Sequence, residues 1–552
     1  MTSGILLDAL SMVESYLTQN HSRSEQRLVR TQIKEMGIEI SESLKPMGTP
    51  SKTIGRPVSY EELQDRLACL NERESGRKDK GVYYTPQDIV RFILSNSVKM
   101  ACGKLRPDTI CDLDGQDIPY RRFCLNTTIY DPTCGTGVFL LAALEMKFDL
   151  LDRRPAKPGR ATVHRIAATI YGNDLNADSI AITGLRILLC VLHRYGASKV
   201  RGLAACLAGN FTVRDFVANR PGGGAVYDVI VGNPPYVEDS KSDSTPETKY
   251  GNIYANVLEN AALCLRPGGV MGFIVPLSYI STPRMRAIRD ELFGRVPEQY
   301  ILSFSDRPDC LFSSVHQKLC VLLGRNRGKS ARIFTGNYRY WYCEERPELF
   351  RSLEVVRNRF KTDQCIPKLG NQTDVDIYRK LLSHRAALAD RMGQGSGPAL
   401  YLNMRATFWI KAFGREHTGG EYRTFRCENE QYRNLCVCLL NSSLFWWYWI
   451  CVSDCWHITG KELGGFRVPE VTDFEETDRL AAALEDRLEA TKKYVGTIQT
   501  EYEYKHKDCV KEIHRMDDYI NGLYGLSAEE SLYIKNFAYR YRISGGADDG
   551  RD

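Results

Sequence analysis

The chain has 552 residues, which is too long for a single hydrophobic core and favours about three or four domains. Hydrophobic residues make up 43% and charged residues 26%, and no uninterrupted apolar run is long enough to span a bilayer, so the composition argues against a membrane protein. The formal charge of +6 permits a polyanionic partner without requiring one. The opening MTSGILLDALSMVESYL has no basic start and carries Asp8 and Glu14, so it does not resemble a signal peptide.

The 18 cysteines are spread through the chain without paired spacing, which favours buried reduced thiols over a disulfide framework. The nearest approach to a metal site is formed by Cys451, Cys455 and His457, with Cys436 and Cys438 upstream. Because no C-x-x-C pair occurs there, we expect no metal.

Residues 1–80 predict an N-terminal helical region. The segments 4–17 and 58–70 repeat apolar residues at helical spacing. A polar stretch at 45–57 and the charged NERESGRKDKG at 71–81 have the composition of linkers.

Residues 81–327 alternate short β-type runs with helical ones. TTIYDPTCGTG, ATIYGNDLN, YDVIVGNPPY and GGVMGFIVP each end an apolar run in turn residues, and helical patterns separate them. This order predicts an α/β, Rossmann-like, doubly wound and mostly parallel sheet with helices on both faces. Its ligand crevice should lie beyond the carboxyl ends of the strands.

Three acidic residues follow consecutive predicted strands. Asp131 can accept hydrogen bonds from a cationic amine, Asp174 suits a ribose diol, and Asp215, beside Phe216, offers an acceptor for an exocyclic amine. Gly135 and Gly137 let a ligand approach the backbone, but neither a G-x-G-x-x-G fingerprint nor a P-loop lysine is present. The set therefore favours a nucleoside-bearing cation over a polyphosphate.

The fourth strand runs into Asn233-Pro234-Pro235-Tyr236. Two prolines fix two φ angles and withhold two N–H donors, so the segment is a stiff turn. The Asn233 side-chain oxygen and the Pro234 carbonyl can accept both hydrogens of an –NH2 group, and Tyr236 can stack on the ring that bears it. The turn therefore suits an aromatic or amide –NH2.

These motifs resemble the S-adenosylmethionine-dependent N6-adenine DNA methyltransferases of restriction-modification systems, in the gamma motif order. The resemblance covers about residues 81–325, from GVYYTPQDIV to CLFSSVHQKLCVLLG. It implies catalytic roles for Asn233, Pro234, Pro235, Tyr236 and a base-stacking Phe312. It implies S-adenosyl-L-methionine as cofactor, bound by Tyr84, Thr85, Pro86, Asp131, Pro132, Gly135, Gly137, Asp174, Leu175, Asp215, Phe216 and Asn233.

In this family a target adenine is flipped out of double-stranded DNA and its N6 attacks the methyl group directly. The resemblance therefore implies a cytoplasmic, DNA-associated enzyme that is bacterial, archaeal or phage-encoded. It leaves open a separate restriction endonuclease as partner and a monomeric or homodimeric state. We expect no nuclease in the short helical region ahead of residue 81.

Beyond the catalytic domain we expect a mixed α+β target recognition domain at 328–475 and a helical region with a tail at 476–552. The expected phosphate contacts are basic residues, namely Arg325, Arg327, Lys329, Arg332, Arg339, Arg405 and Lys461.

Three alternatives remain open. An RNA adenine-N6 methyltransferase and a glutamine methyltransferase of release factors share similar motifs but are generally smaller. A non-catalytic DNA-binding subunit with a relic fold is the alternative from a different class. The intact Asn233 and its acidic neighbours argue against it.

Overall fold

The computed structural model describes residues 4–38, 58–70, 84–110, 118–222, 224, 226–312, 316–351, 353–393, 395–496 and 502–544. The expected linkers at 45–57 and 71–81 lie outside the described residues, as does most of the expected tail.

The helices described up to residue 295 are α1 (Gly4–Asn20), α2 (Arg23–Glu35), α3 (Tyr60–Ala68), α4 (Gln87–Ala101), α5 (Tyr120–Asn126), α6 (Val138–Asp152), α7 (Arg160–Ala167), α8 (Ala177–Tyr195), α9 (Ala197–Val200), α10 (Leu203–Leu207), α11 (Ile253–Cys264), α12 (Ser278–Ser281) and α13 (Arg286–Arg295). Those that follow are α14 (Gln372–Leu382), α15 (Glu430–Asn441), α16 (Ser443–Val452), α17 (Gly460–Gly465), α18 (Glu475–Thr491), α19 (Val510–Leu523), α20 (Ala528–Asn536) and α21 (Tyr539–Ser544).

The described strands are β1 (Ile129–Asp131), β2 (Ile170–Asp174), β3 (Phe211–Val213), β4 (Tyr227–Gly232), β5 (Leu265–Pro276), β6 (Glu298–Phe304), β7 (Leu319–Arg325), β8 (Arg332–Arg339), β9 (Val356–Asn358), β10 (Ala386–Ala387), β11 (Ala399–Asn403), β12 (Ala412–Phe413), β13 (Tyr422–Arg426), β14 (Arg467–Val468), β15 (Lys493–Tyr494) and β16 (Tyr502–Glu503).

Nine of these strands form one twisted sheet in the order β3-β2-β1-β4-β5-β7-β6-β8-β9. Strands β1 to β5 pair in parallel, whereas β7 runs antiparallel to both of its neighbours. Along β4, Val229 and Val231 enter one buried apolar cluster and Ile230 enters another, because alternate side chains point to opposite faces. The predicted mostly parallel sheet with two covered faces is confirmed.

The sheet continues past residue 327, the predicted boundary between the α/β domain and the recognition domain at 328–475. Strand β8 pairs in parallel with β6, and β9 pairs antiparallel with β8. The basic, aromatic segment around residues 324–342 is therefore part of the central sheet. A smaller sheet of β11, β12 and β13 follows, in keeping with the predicted mixed C-terminal region.

The aromatic helix α16, SLFWWYWICV, is buried on every side. Each of its residues is at most 3% exposed, and its three indole N–H groups donate to Thr407 O, Asp374 Oδ1 and His457 O. Buried indoles need such partners, so these bonds orient the helix within the apolar core. Within the described ranges no single helix is long and apolar enough to cross a membrane, although α15 and α16 pass that test together with a 62° bend between them.

The predicted N-terminal helices pack against α8, and one buried arginine joins the two parts. The Arg186 guanidinium donates to Gln64 Oε1 (2.9 Å) and to the Thr136 carbonyl (2.7 Å). The Gln64 amide in turn donates to the Arg186 carbonyl (3.1 Å), and the Thr136 hydroxyl donates to the Ala68 carbonyl (2.9 Å). Helix α3 therefore supports the glycine turn that contains Thr136.

Replacing Gln64 with leucine should lower the free energy of unfolding by about 1–3 kcal/mol, because the buried Arg186 Nε–H loses its acceptor. Urea unfolding measures this change. Glu62→Gln on the exposed side of the same helix is the matched control, with an expected change within about 0.5 kcal/mol. Equal stabilities for Gln64→Leu and the control would contradict the role of this bond.

Candidate active site

Three strand ends bring the predicted site residues to one edge of the sheet. Asp131 ends β1, Asp174 ends β2, and Asn233 directly follows the last residue of β4. The register places Asp131 opposite Gly172 and Tyr130 opposite Ile230, so these ends lie side by side. This edge is where ligands bind in open parallel sheets.

Asp131 is only 2% exposed and accepts a hydrogen bond from the Thr133 N–H (3.0 Å). Burial raises the pKa of Asp131 well above its usual range, and the neighbouring Asp174 raises it further. A cation bound against this carboxylate would offset both effects. The site therefore favours a positively charged ligand.

The glycine turn after β1 is held by the second acid. Gly135 and Gly137 have φ angles of 52° and 79°, in the left-handed region. The Gly135 N–H donates to Asp174 Oδ2 (2.9 Å), and a Cβ on Gly137 would lie 2.7 Å from the Thr183 side chain. Both glycines are therefore required by the backbone path of the turn.

Asn173 is a site residue that sequence reasoning missed. Its amide donates to the carbonyls of Pro132 and Arg214, each at 3.0 Å, and its oxygen accepts from Thr212 (2.8 Å). It therefore ties together the loops that follow β1 and β3. The motif GNDLN places Asn173 beside Asp174 and so indicates that it lies near the site. Its hydrogen-bond partners are distant in sequence, so no local pattern indicates those contacts.

The third acidic motif has a different local role. Asp215 Oδ1 accepts from the N–H groups of Val217 (2.8 Å) and Ala218 (3.0 Å), which is a turn-capping arrangement. Phe216 is buried and packs edge-on against Tyr130 at 6.0 Å. Leu175, after the second strand, is 64% exposed. Asp215 and Leu175 lie in the loops that follow β3 and β2, at the same edge as Asp131.

The NPPY turn is fixed at both ends. Asn233 Nδ2 donates to Thr85 Oγ1 (3.1 Å), which joins the turn to the segment Tyr84–Pro86 at the start of α4. The Tyr236 hydroxyl donates to the Ile274 carbonyl (3.0 Å), and its ring lies edge-on to Tyr254 at 6.4 Å. These contacts set the orientation of both functional side chains.

The half-buried Tyr236 faces a cavity of about 630 Å³ beside the carboxyl edge of the sheet. Its lining residues come from the central sheet and its loops and from the C-terminal region. They are Tyr236, Val237, Glu238, Lys241, Asn252, Pro276, Leu277, Ser278, Thr282, Arg284, Asp306, His316, Gln317, Lys318, Asp454 and Trp456. We call this space the Tyr236 cavity. Its volume suits a small planar ligand.

Three cations surround Trp456 at the wall of this cavity. The distances to the centre of its ring are 4.1 Å for Lys318 Nζ, 5.1 Å for the Arg405 guanidinium and 5.9 Å for that of Arg307. Burial lowers the pKa of Lys318, and Asp306, 3.8 Å from its ammonium, opposes that change. Lys318 is therefore paired with Asp306 inside the cavity wall.

Phe312 does not line the Tyr236 cavity. It is 2% exposed and belongs to the apolar cluster that contains Phe350 and Leu311. Arg346 holds the preceding loop by donating to the Leu311 carbonyl (3.0 Å) and to Asp88 of α4. The structure therefore brings Trp456, and not Phe312, to the cavity opposite the NPPY turn.

The predicted phosphate contacts fall into separate places. Arg325, Arg327, Lys329 and Arg332 lie where β7 ends and β8 begins, at the edge of the sheet opposite Asn233. Arg339 ends β8 at the carboxyl edge, separated from β4 by three strands. Only Arg405 lies beside the cavity.

Lys461, the seventh predicted contact, is bound to the protein itself. Its ammonium donates to the carbonyls of Ser281 (2.6 Å) and Val452 (3.0 Å) and lies 3.0 Å from Glu462 Oε1. Because these groups engage all of its donors, the structure does not bring Lys461 together with the cavity.

Within the described part of the chain, no group of three or more His, Cys, Asp or Glu side chains is placed to hold a metal ion. Cys436, Cys438, Cys451 and Cys455 are buried thiols. Burial raises the pKa of the Cys451 thiol. These four cysteines therefore behave as buried apolar side chains.

Residues 168–308 match the family model described as Eco57I restriction-modification methylase. The chain is 24% identical over 272 residues to the type II methyltransferase M.PaeR7I of Pseudomonas aeruginosa, which covers 47% of this chain and 43% of that protein. It is 30% identical over 141 residues to the type II methyltransferase M.BstVI of Geobacillus stearothermophilus, covering 25% and 24% of the two chains. The chain thus spans less than half the length of these relatives.

The fold is similar to a solved structure of the type IIL restriction-modification enzyme MmeI in complex with DNA. The TM-score is 0.50 at 12% identity, over 96% of this chain and 92% of that one. At that identity the likeness concerns the fold alone.

Replacing Gly232 with alanine should lower the free energy of unfolding by about 1–3 kcal/mol. The added Cβ would lie 2.8 Å from Asp131 Oδ1 and 3.3 Å from the Phe273 ring. Thermal or urea unfolding measures the change. Gly420→Ala is the control, since a Cβ on this exposed turn residue would meet no described atom within 4 Å. A Gly232→Ala protein as stable as this control would contradict the close packing of β4 against Asp131.

Proposed function

We propose, from the premise that residues 168–308 belong to the restriction-modification methylase family, that this chain transfers a methyl group from S-adenosylmethionine to N6 of adenine in double-stranded DNA. The observation that carries the proposal is the NPPY turn. Asn233 and Pro234 leave the sheet next to the buried Asp131, and Tyr236 faces the adjoining cavity.

The residues at the carboxyl edge fit S-adenosylmethionine. The buried Asp131 suits its cationic amine, and Asp174 suits a ribose diol. Among the described residues, the buried Thr133 hydroxyl oxygen has no hydrogen-bond partner, so it adds an unused polar group beside Asp131. When bound, this cofactor supplies an electrophilic methyl group.

Asn233 and Pro234 position the amine that receives the methyl group. Because Asn233 Nδ2 donates to Thr85, the side-chain oxygen is the atom that accepts from the substrate. Together with the Pro234 carbonyl it would hold both N6 hydrogens and direct the nitrogen lone pair to the methyl group. Positioning and electrostatics then supply the acceleration, without a covalent enzyme intermediate.

The Tyr236 cavity provides the place for a flipped base. Flipping costs a few kcal/mol, and stacking on an aromatic side chain is worth about 1–3 kcal/mol per base. The Tyr236 ring is oriented by its bond to Ile274, and Trp456 lines the same cavity. We therefore propose Trp456 for the role that the sequence pattern suggested for Phe312.

Duplex DNA as substrate is supported by the cations at this cavity. Arg405, Arg307 and Lys318 surround Trp456, which lines the cavity proposed for the flipped base. Guanidinium and ammonium groups at such a position suit the phosphates that flank the base. These residues replace the arginines of β7 and β8 as the proposed DNA face.

Asn233→Ala should lower methyl transfer by at least ~100-fold, since one of the two acceptors for N6 is lost. Incorporation of labelled methyl groups into duplex DNA measures the rate, and fluorescence anisotropy measures duplex binding, which should change little. The matched control is Asn126→Ala, an exposed residue whose side chain contacts Arg165.

Three outcomes would count against this assignment. Loss of duplex binding with turnover preserved would contradict the role of Asn233. Failure of the wild-type protein to bind S-adenosylmethionine in a titration would favour the non-catalytic DNA-binding subunit. Preferential labelling of RNA would favour the RNA methyltransferase.

Lys318→Met should weaken duplex binding and reduce the slope of log affinity against log salt by about 1, because one phosphate contact is lost. Anisotropy titrations at several salt concentrations measure the slope. Lys157→Met, at an exposed position in the loop before α7, should leave it unchanged. A slope that Lys318→Met does not alter would place the DNA elsewhere.

A further inference from the structure

A second cavity, of about 390 Å³, lies at the opposite edge of the sheet. It is formed by the end of α4, by α5, by the starts of β4 and β5 and by the end of β7. Its lining residues are Ala101, Cys102, Arg122, Thr127, Asp228, Pro267, Gly268, Gly269, Arg325 and Arg327. We call it the arginine cavity. Because it lies at the amino ends of the parallel strands, it is separate from the Tyr236 cavity.

The charges in the arginine cavity are unbalanced. Arg122, Arg325 and Arg327 face a single lining carboxylate, that of Asp228. That carboxylate is already engaged, because it accepts from the Thr128 N–H (2.8 Å) and hydroxyl (2.9 Å) and lies 3.2 Å from Arg266. The three lining arginines therefore give the cavity a net positive charge.

Arg325 is the central group of this set. Its Nε–H is buried and has no hydrogen-bond partner among the residues that the structure describes. Burial lowers the pKa of Arg325, the nearby Glu298 opposes that change, and the like charges of Arg327 and Arg122 add to it. A buried N–H without an acceptor is costly, so an anion bound beside Arg325 Nε would stabilise this arrangement.

The arginines also have fixed positions. Arg325 is the last residue of β7, paired with Val270 of β5 and Glu298 of β6. The Arg122 guanidinium donates to the Ala101 carbonyl at the end of α4 (3.2 Å). Since rigid elements hold both residues, little ordering would be needed when a ligand binds.

We propose that the arginine cavity binds a phosphate group. Guanidinium groups pair with phosphate through several charge-assisted hydrogen bonds, and the cavity has room for a diphosphate. Two sources share this chemistry, a free nucleotide and the phosphate backbone of a nucleic acid strand. The site goes beyond the proposed methyl transfer, because it lies at the other edge of the sheet from Asn233.

Isothermal titration of the full-length protein with inorganic pyrophosphate tests the proposal. Arg325→Met should weaken pyrophosphate binding by ~10-fold or more, because charged hydrogen bonds are lost. Arg201→Met, an exposed arginine near the N-terminus of α10, is the matched control and should bind as the wild type does. Arg327→Met provides a second variant in case Arg325→Met is unstable, and thermal unfolding of each variant checks its fold.

Competition then identifies the source of the phosphate. Displacement of pyrophosphate by a nucleoside triphosphate indicates a nucleotide, whereas displacement by duplex DNA indicates a nucleic acid strand. Asn233→Ala should retain pyrophosphate binding, so the phosphate site and the proposed methyl transfer can fail independently. The phosphate site would be overturned if the wild type did not bind millimolar pyrophosphate. It would also be overturned if the folded Arg325→Met and Arg327→Met proteins both bound pyrophosphate as tightly as the wild type.

Discussion

The candidate site depends on the close approach of two adjacent parallel strands. Strand β4 ends at Gly232, and only the absence of a Cβ there leaves room for the Asp131 carboxylate of β1. The carboxylate is therefore buried immediately beside the residue that precedes Asn233. A single steric constraint thus places the Asp131 carboxylate next to the start of the NPPY turn. Pro234 and Pro235 have fixed φ angles, so the backbone that carries the Pro234 carbonyl stays in one orientation relative to Asp131.

The sequence predicted the central sheet because the signals for its strand ends are local. DPTCGTG, GNDLN and NPPY combine an apolar run with glycine, proline or acidic residues within a few positions, and this combination depends little on the rest of the chain. Parallel pairing brings such ends together by topology alone, so the sequence is sufficient to predict Asp131, Asp174 and Asn233 at one edge of the sheet. Their roles in binding and catalysis remain predictions.

Long-range pairing explains what the sequence did not reveal. Arg325 and Arg332 occur in a basic, aromatic segment typical of a nucleic-acid-binding surface, yet the order β7-β6-β8 places them at the amino edge of the sheet. Phe312 occupies a motif position expected to face the target base, but it is buried in the apolar cluster that also contains Phe350, from a later segment. Trp456 reaches the Tyr236 cavity from more than 200 residues along the chain, and no local pattern indicates that contact.

The matched family region, residues 168–308, does not contain the whole site. Thr85 orients Asn233 from before that region, and Trp456 closes the cavity from after it. The glycine turn depends on the N-terminal helices as well, because Gln64 and Ala68 hold Arg186 and Thr136. The segments before residue 168 and after residue 308 must therefore both be packed in place. Only then do the glycine turn, the Asn233 amide and the Tyr236 cavity have their described geometry. A stability change in either segment should reach the site through these few hydrogen bonds.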